Sequence, residues 1–121
     1  MEWHILAGRP VYIQLVEQLE QAIVTGEYPS GERIPAVRDL AAQAQVNPNT
    51  MQRALAELES RGLLETQRTA GRIVTANTEL IEETRQSLAL SLIQDFLSQV
   101  KALKLTREDI LALLQKEEQS I

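Results

Sequence analysis

Two stretches with helical periodicity are joined by a connection of only three residues, 45–47, and this short connection constrains the fold more than any other feature. The first stretch covers roughly residues 36–45. Its apolar face is Val37, Leu40, Ala41 and Ala44. The second stretch begins at Asn47, a residue suited to a helix N-cap, and Pro48 suits the first helical position. A connection this short makes two helices pack at a steep angle, as in a helix-turn-helix.

Another helix precedes this pair, and strand periodicity follows it. Pro10 opens a helical stretch that ends at Gly26. Its apolar stripe is Tyr12, Leu15, Val16, Leu19 and Ile23. After the third helix, residues 63–66 and 72–75 have the composition of two short strands joined by residues 67–71. We therefore predict a mainly α fold with a small β-hairpin, a winged helix-turn-helix domain.

The rest of the chain predicts two helices that have no core of their own. One long helix covers about residues 78–103, and a capping-box pattern at 106–109 starts a last helix that runs to about residue 117. Two helices alone bury too little surface to fold independently, so a second copy of the chain is the simplest partner. The predicted dimerisation residues are Leu88, Leu92, Ile93, Phe96, Leu97, Val100, Leu103, Ile110 and Leu114. The predicted domains are 1–76 (N-terminal arm 1–9) and the tail 77–121.

Composition excludes several classes of function. The chain has no cysteine, so neither a disulfide framework nor a thiolate metal site is expected. No stretch approaches the ~18 apolar residues of a membrane helix, which favours a cytoplasmic protein with no membrane partner. The single histidine, His4, and the isolated acidic pairs lack the spacing of a metal site or a catalytic pair. We expect neither enzyme activity nor a cofactor.

The charge distribution permits a nucleic-acid partner without demanding one. The net charge is −5, whereas nucleic-acid-binding domains tend to be basic. Residues 30–75 carry six arginines against five acidic residues, and they form the only segment that is not acidic. Folding must bring these arginines onto one face before they can bind phosphate groups.

The third predicted helix has a polar outward face. Its inward positions are Met51, Ala54, Leu55 and Leu58. Asn49, Gln52 and Arg53 point outward, and amide and guanidinium groups there match adenine and guanine in a major groove. Thr50 and the N–H groups of the first turn suit a phosphate. Taken alone, such a helix start is more often ordinary capping, and a lone exposed arginine is more often a solvated charge. The combination with the short turn and the arginine-bearing hairpin favours DNA.

Residues 9–75 resemble, without a gap, the DNA-binding domain of GntR-type transcription regulators. The resemblance is carried by PAVRDLA at 35–41, VNPNT at 46–50, and the spaced motif RAL, LE and GLLE within 53–65. The short two-helix tail resembles that of the YtrA subgroup. This resemblance implies a bacterial repressor that binds an inverted-repeat operator as a homodimer.

Carried over position by position, the resemblance implies a set of DNA contacts. In the helix-turn-helix these are Arg38, Asn47, Asn49, Thr50, Gln52 and Arg53. In the hairpin, the predicted contacts are Arg68, Thr69, Gly71 and Arg72. The sequence departs from the family pattern at Gln52, where a basic residue is frequent, at Ala36, where serine is frequent, and at Thr69, where glycine is frequent.

Three alternatives remain open at the level of sequence. The overall acidity also fits a winged-helix module that binds a protein, with a helical oligomerisation tail. A small-molecule effector would fit between the tail helices of a dimer, near Leu92, Phe96 and Val100, although dimer core is the simpler interpretation. Trp3 and Ile5 alternate with polar neighbours, which predicts a short strand or arm that packs on its own domain or on a partner subunit.

Overall fold

Five α-helices and one β-hairpin make up residues 1–119, the part of the chain that the structure, a computed structural model, describes. They are α1 (Val11–Val24), α2 (Val37–Ala44), α3 (Pro48–Ser60), β1 (Leu64–Gln67), β2 (Gly71–Val74), α4 (Thr78–Ala102) and α5 (Arg107–Glu118). This order confirms the predicted winged helix with a helical tail. Contacts divide the chain into two units, residues 1–85 and the residues from Gln86 onward. The last two residues of the predicted tail, 120 and 121, lie outside the described part.

The core of the first unit lies between α1, α2 and α3. Its fully buried large side chains include Leu15, Leu19, Leu40, Met51, Leu55 and Leu58. The members of the predicted apolar stripes are buried, except for Tyr12 and Val37, which are partly exposed and pack against the core. The predicted stripes are therefore confirmed. Burying these aliphatic side chains supplies most of the free energy of folding of this unit, at roughly 1.5–3 kcal/mol each.

The turn between α2 and α3 is as short as the sequence predicts. Gln45 ends α2 in the left-handed region, with φ 56°, and the N–H of Val46 donates to Ala41 O at 3.0 Å. Asn47 then caps α3, since its Oδ1 accepts a hydrogen bond from Asn49 N at 2.8 Å. Pro48 occupies the first helical position. Helix α2 therefore ends before a turn of three residues, 45–47, and α3 begins directly after it.

The hairpin, here called the wing, is antiparallel, with Leu64 opposite Val74 and Gln67 opposite Gly71. Its strands are shifted by one residue from the predicted 63–66 and 72–75. Residues 31–34 add a third, edge segment that the sequence did not predict, since Ile34 N donates to Arg72 O at 3.1 Å and Val74 N donates to Glu32 O at 2.9 Å. This segment joins the start of α2 to the wing.

The N-terminal arm is tied to α1 by two glutamine side chains. Gln18 exchanges two hydrogen bonds with the backbone of His4, at 2.9 and 2.8 Å. Gln14 does the same with Leu6, at 2.7 and 2.8 Å. The alternate residues Trp3 and Ile5 pack against the core. The arm therefore packs on its own domain.

The long helix α4 belongs to both units. Leu80 and Ile81, in its first turns, pack against the core of the first unit, so that unit extends past the predicted boundary at residue 76 to Arg85. In the second unit, Thr106 and Asp109 form the predicted capping box, with Asp109 N donating to Thr106 Oγ1 at 3.2 Å. No helix in the described range 1–119 is long and apolar enough to cross a membrane.

Candidate nucleic-acid interface

Helix α3 presents three polar side chains to solvent, here called the reading face: Asn49, Gln52 and Arg53. The opposite side of the helix is fully buried at the predicted positions Met51, Ala54, Leu55 and Leu58. Within residues 1–119, no side-chain hydrogen bond or ion pair engages the reading face. Two amides and one guanidinium therefore keep all their donors and acceptors for a molecule outside the chain.

The first N–H groups of α3 donate within the chain, so they add no donor to the phosphate contact predicted for Thr50. Pro48 has no N–H, Asn49 N donates to the side chain of Asn47 at 2.8 Å, and Thr50 N donates to Asn47 O at 3.0 Å. The first turn is therefore satisfied internally. Asn47, a predicted DNA contact, uses its Oδ1 as a helix cap and retains only its amide donors.

The start of α2, in contrast to that of α3, has N–H groups without an acceptor. Its N-cap is Ala36, which has no side chain to accept a hydrogen bond. In the described part of the chain, nothing accepts from the N–H groups of Val37, Arg38 and Asp39. The helix dipole favours an anion at this end, although the side chain of Asp39 lies in the same turn. The exposed side chain of Arg38 lies in the same turn. Alanine at position 36, where the family that the sequence resembles often has serine, is the sequence signal for this open helix end.

A cleft of about 270 Å³ lies between the start of α2 and the wing. It is lined by Arg33, Ile34, Pro35, Ala36, Val37, Thr66, Gly71 and Arg72. Arg33 was not predicted as a site residue. Arg33 is held beside the wing by its backbone bridge to Ile73, which is forty residues away in sequence.

The six arginines of residues 30–75 divide into two groups. Arg61 bridges α3 to α1, since its Nη1 contacts the buried Glu20 at 2.8 Å and its Nε contacts Glu57 at 3.1 Å. Arg72 forms an ion pair with Glu59. The other four have no ion pair with any of residues 1–119: Arg33, Arg38, Arg53 and Arg68. Two arginines therefore hold the fold, and four retain their charge for a ligand.

Glu59 is the acceptor that holds Arg72. Its carboxylate also accepts a hydrogen bond from Thr66 Oγ1 at 2.8 Å. Burial raises the pKa of Glu59, but the hydrogen bonds from Arg72 and Thr66 and the charge of Arg72 outweigh burial and leave that pKa below its usual value. The side chain of Arg72 is only 19% exposed. Arg72, predicted as a DNA contact, is thus used to join β2 to α3.

The tip of the wing keeps the other predicted contacts at the surface. Arg68 and Thr69 are exposed in the turn between the strands. Gly71 has φ +77°, a conformation that other residues adopt only with strain. The glycine therefore shapes the turn, and Arg68 is the cation at its end.

The predicted dimerisation residues are not equally available. Ile110 is 7% exposed and is already buried within its own tail unit, beside a cavity of about 320 Å³ that Leu97 and Leu105 also line. Leu88, Leu97 and Val100 are partly buried. The exposed members are Leu92, Ile93, Phe96, Leu103 and Leu114. Ile110 therefore supports the fold of the tail within one chain.

Comparison with known proteins decides the family. The sequence profile of the family described as bacterial regulatory proteins, gntR family, matches residues 11–74. The chain belongs to the GntR family. The matched range contains all three helices of the winged helix and both strands of the wing. This GntR protein is therefore a transcription regulator with a DNA-binding domain.

Individual relatives extend the likeness beyond that domain. A GntR family transcriptional regulator from Listeria monocytogenes has a solved structure with TM-score 0.86 and 36% identity, and the match covers 92% of this chain and 97% of that one. The HTH-type transcriptional repressor YtrA of Bacillus subtilis is 37% identical over 78 residues, 63% of this GntR protein and 60% of YtrA. The short two-helix tail fits the YtrA subgroup, as the sequence predicts.

A third relative has been solved with DNA. The DNA-binding domain of AraR, in complex with an operator, matches this GntR protein with TM-score 0.53 and 30% identity over 55% of this chain and 82% of that one.

Among residues 1–119 of this GntR protein, no three acidic or histidine side chains come together as they would around a metal ion.

Proposed function

We propose that this GntR regulator is a repressor that binds an inverted-repeat operator as a homodimer. The observation that carries the proposal is the reading face of α3, whose polar side chains make no hydrogen bond or ion pair with any of residues 1–119. A helix of this kind fits the major groove, which is about 12 Å wide. The likeness to AraR, solved with its operator, and to the repressor YtrA supports both the ligand and the direction of control.

The contacts fall into two kinds. We assign base recognition to the reading face, with Asn49 and Gln52 suited to adenine and Arg53 suited to guanine. We assign phosphate contacts to Arg38 with the open start of α2, to Thr50, and to Arg68 at the tip of the wing. Asn47, Gly71 and Arg72 hold these groups in place, and Thr69 lies beside Arg68 without a role of its own.

We assign dimerisation to the tail. Leu92 and Leu103 are 70% and 73% exposed, and Ile93 and Phe96 are also well exposed, which is costly for a free monomer in water. A second copy covers these side chains and places the two copies of α3 about one DNA turn, or a multiple of it, apart. The cavity beside Ile110 is then filled by the partner, which leaves an effector site in the tail as the less economical interpretation. Such a regulator acts on the chromosome, which places it in the cytoplasm.

The competing function is a winged-helix module that binds a protein. The net charge of −5 favours it, because long-range repulsion from DNA opposes association. The unpaired arginines of residues 30–75 oppose it, since they supply the local positive charge that phosphate groups require.

Selection of duplexes from a random pool tests the proposal directly. The full-length protein should enrich a sequence with two inverted half-sites, and its affinity for that duplex should fall steeply as salt rises, with a slope of about −0.9 per phosphate contact. A pool without enrichment, together with binding that is independent of salt, would eliminate DNA as the ligand and favour the protein-binding module.

A further inference from the structure

The side chain of Arg53 lies over an aromatic ring from another helix. Its Cζ is 3.8 Å from the centroid of the ring of Tyr12, the second residue of α1. Tyr12 is half-buried and packs against the core, whereas Arg53 is exposed. A guanidinium at this distance from a tyrosine face gains both cation–π attraction and stacking. The ring therefore holds one member of the reading face in place.

This kind of support differs from an ion pair in what it leaves free. A guanidinium carries five N–H donors in its plane, and a carboxylate occupies some of them and offsets the positive charge. Glu59 does so with Arg72. An aromatic ring occupies the face of the guanidinium and leaves the donors at its edge. Since no acid in the described chain pairs with Arg53, its donors and its charge both stay available.

We propose that Tyr12 is a positioning residue that sets the base specificity of Arg53. The proposal rests on the function proposed above, in which Arg53 reads a base. An arginine without support samples many rotamers, reaches several base edges, and loses that freedom when it binds. Stacking on Tyr12 restricts the guanidinium before DNA arrives, so that fewer base edges are within its reach and less entropy is lost on binding.

The test compares two substitutions of the same tyrosine. Tyr12→Leu keeps an apolar side chain against the core but removes the aromatic face, and Tyr12→Phe keeps the face and removes only the hydroxyl. For each full-length variant, the base preference at every operator position is measured by selection from a random pool. Salt dependence and thermal unfolding are measured in parallel.

We expect Tyr12→Leu to weaken the preference at one base pair per half-site by about two- to fivefold, the range of an exposed cation–π contact, with an unchanged salt slope. Tyr12→Phe should preserve the preference. In an Arg53→Ala background, Tyr12→Leu should have no further effect on that base pair, because the positioning residue acts only through the arginine.

Three results would overturn the inference. They are an equal loss in Tyr12→Phe, a loss in Tyr12→Leu that persists without Arg53, and a preference that Arg53→Ala weakens but Tyr12→Leu does not. If Arg53→Ala itself leaves every base preference unchanged, Arg53 does not read a base, and the assignment of Arg53 in the proposed function fails together with the inference. Salt-dependent binding of DNA is measured separately and distinguishes that outcome from a protein that does not bind DNA at all.

Discussion

Glu59 on α3 and Arg72 on β2 form a hydrogen-bonded ion pair that ties the wing to α3. Glu59 is 31% exposed and Arg72 is 19% exposed, so the pair is partly shielded from water. Thr66 on β1 donates to the same carboxylate at 2.8 Å. Both strands of the wing are therefore held to one side chain of α3, which fixes the distance between the wing and the reading face.

The first prediction separates the two arginines of the wing. Arg72→Met should lower the free energy of unfolding by about 1–2 kcal/mol, because it removes a partly shielded charged hydrogen bond. Arg68→Met, the matched control at the exposed tip, should leave stability within about 0.5 kcal/mol and weaken DNA binding uniformly across sequences. Chemical denaturation and duplex titration measure the two effects. Equal loss of stability in both variants would contradict the division of roles.

The second prediction concerns pH. The pKa of Glu59 in the folded chain lies below its ordinary value of 4.5. An acid with a depressed pKa adds stability above its unfolded pKa, and this stability is lost as the pH falls through the folded pKa. The difference in unfolding free energy between the wild type and Glu59→Gln should therefore be constant near about pH 6 and shrink below about pH 4.5.

Denaturation midpoints across this pH range measure the difference. Asp109, whose pKa is also lowered by hydrogen bonds from Thr106, is present in both proteins and cancels in the comparison. A difference that grows on acidification would show that the carboxylate of Glu59 is not stabilised in the folded state.

The third prediction concerns the arm. Gln14 is 2% exposed and makes three hydrogen bonds to the arm, two with Leu6 and one with Arg9 O at 3.1 Å. Gln14→Ala should lower the free energy of unfolding by about 2–3 kcal/mol, at roughly 1 kcal/mol per hydrogen bond. The arm should also detach, and the fluorescence of Trp3, the single tryptophan, should shift to the red.

The matched control is Gln43→Ala, which truncates an exposed glutamine of α2. It should change neither the stability nor the emission of Trp3. Emission from Gln14→Ala that coincides with the wild type would mean that Gln18, Trp3 and Ile5 hold the arm without Gln14.

The fourth prediction tests the tail. Leu92→Lys should weaken the proposed dimer at least about tenfold, since a charge replaces an apolar side chain that a partner would bury. Ser91→Lys adds the same charge at the neighbouring exposed position and should leave the dimer intact. Sedimentation equilibrium distinguishes the two variants. A wild-type protein that sediments as a monomer at every concentration would remove the tail dimer from the proposal.

Local signals in the sequence predicted the elements, because each signal acts within one or two helical turns. Asn47 and Pro48 marked the start of α3, and Thr106 with Asp109 marked the start of α5. The outward position of Arg53 followed from the apolar positions beside it. These features depend on backbone geometry that a short window of sequence already specifies.

The supporting contacts of the site were not predictable in this way. Arg72 meets Glu59 thirteen residues away, and Arg33 pairs with Ile73 at a separation of forty residues. Nothing in the neighbourhood of Arg72 distinguished it from Arg68, so both were expected to contact DNA. Only packing of the wing against α3 determines which arginine is neutralised by an acid and which is left for a ligand.

The glutamine contacts of the arm depend on two similar spacings, one along helix α1 and one along the main chain of the arm. A helix rises about 1.5 Å per residue, so Gln14 and Gln18 are about 6 Å apart along α1. Alternate residues of an extended chain are about 6.6–6.8 Å apart, close enough for His4 and Leu6 to meet both amides. A third pair of contacts would be further out of register, because the difference between the two spacings adds with each pair. The spacing of Gln14 and Gln18 on α1 thus selects for main-chain groups of the arm and not for side chains. Any residue except proline at positions 4 and 6 supplies the N–H and C=O that these glutamines bind.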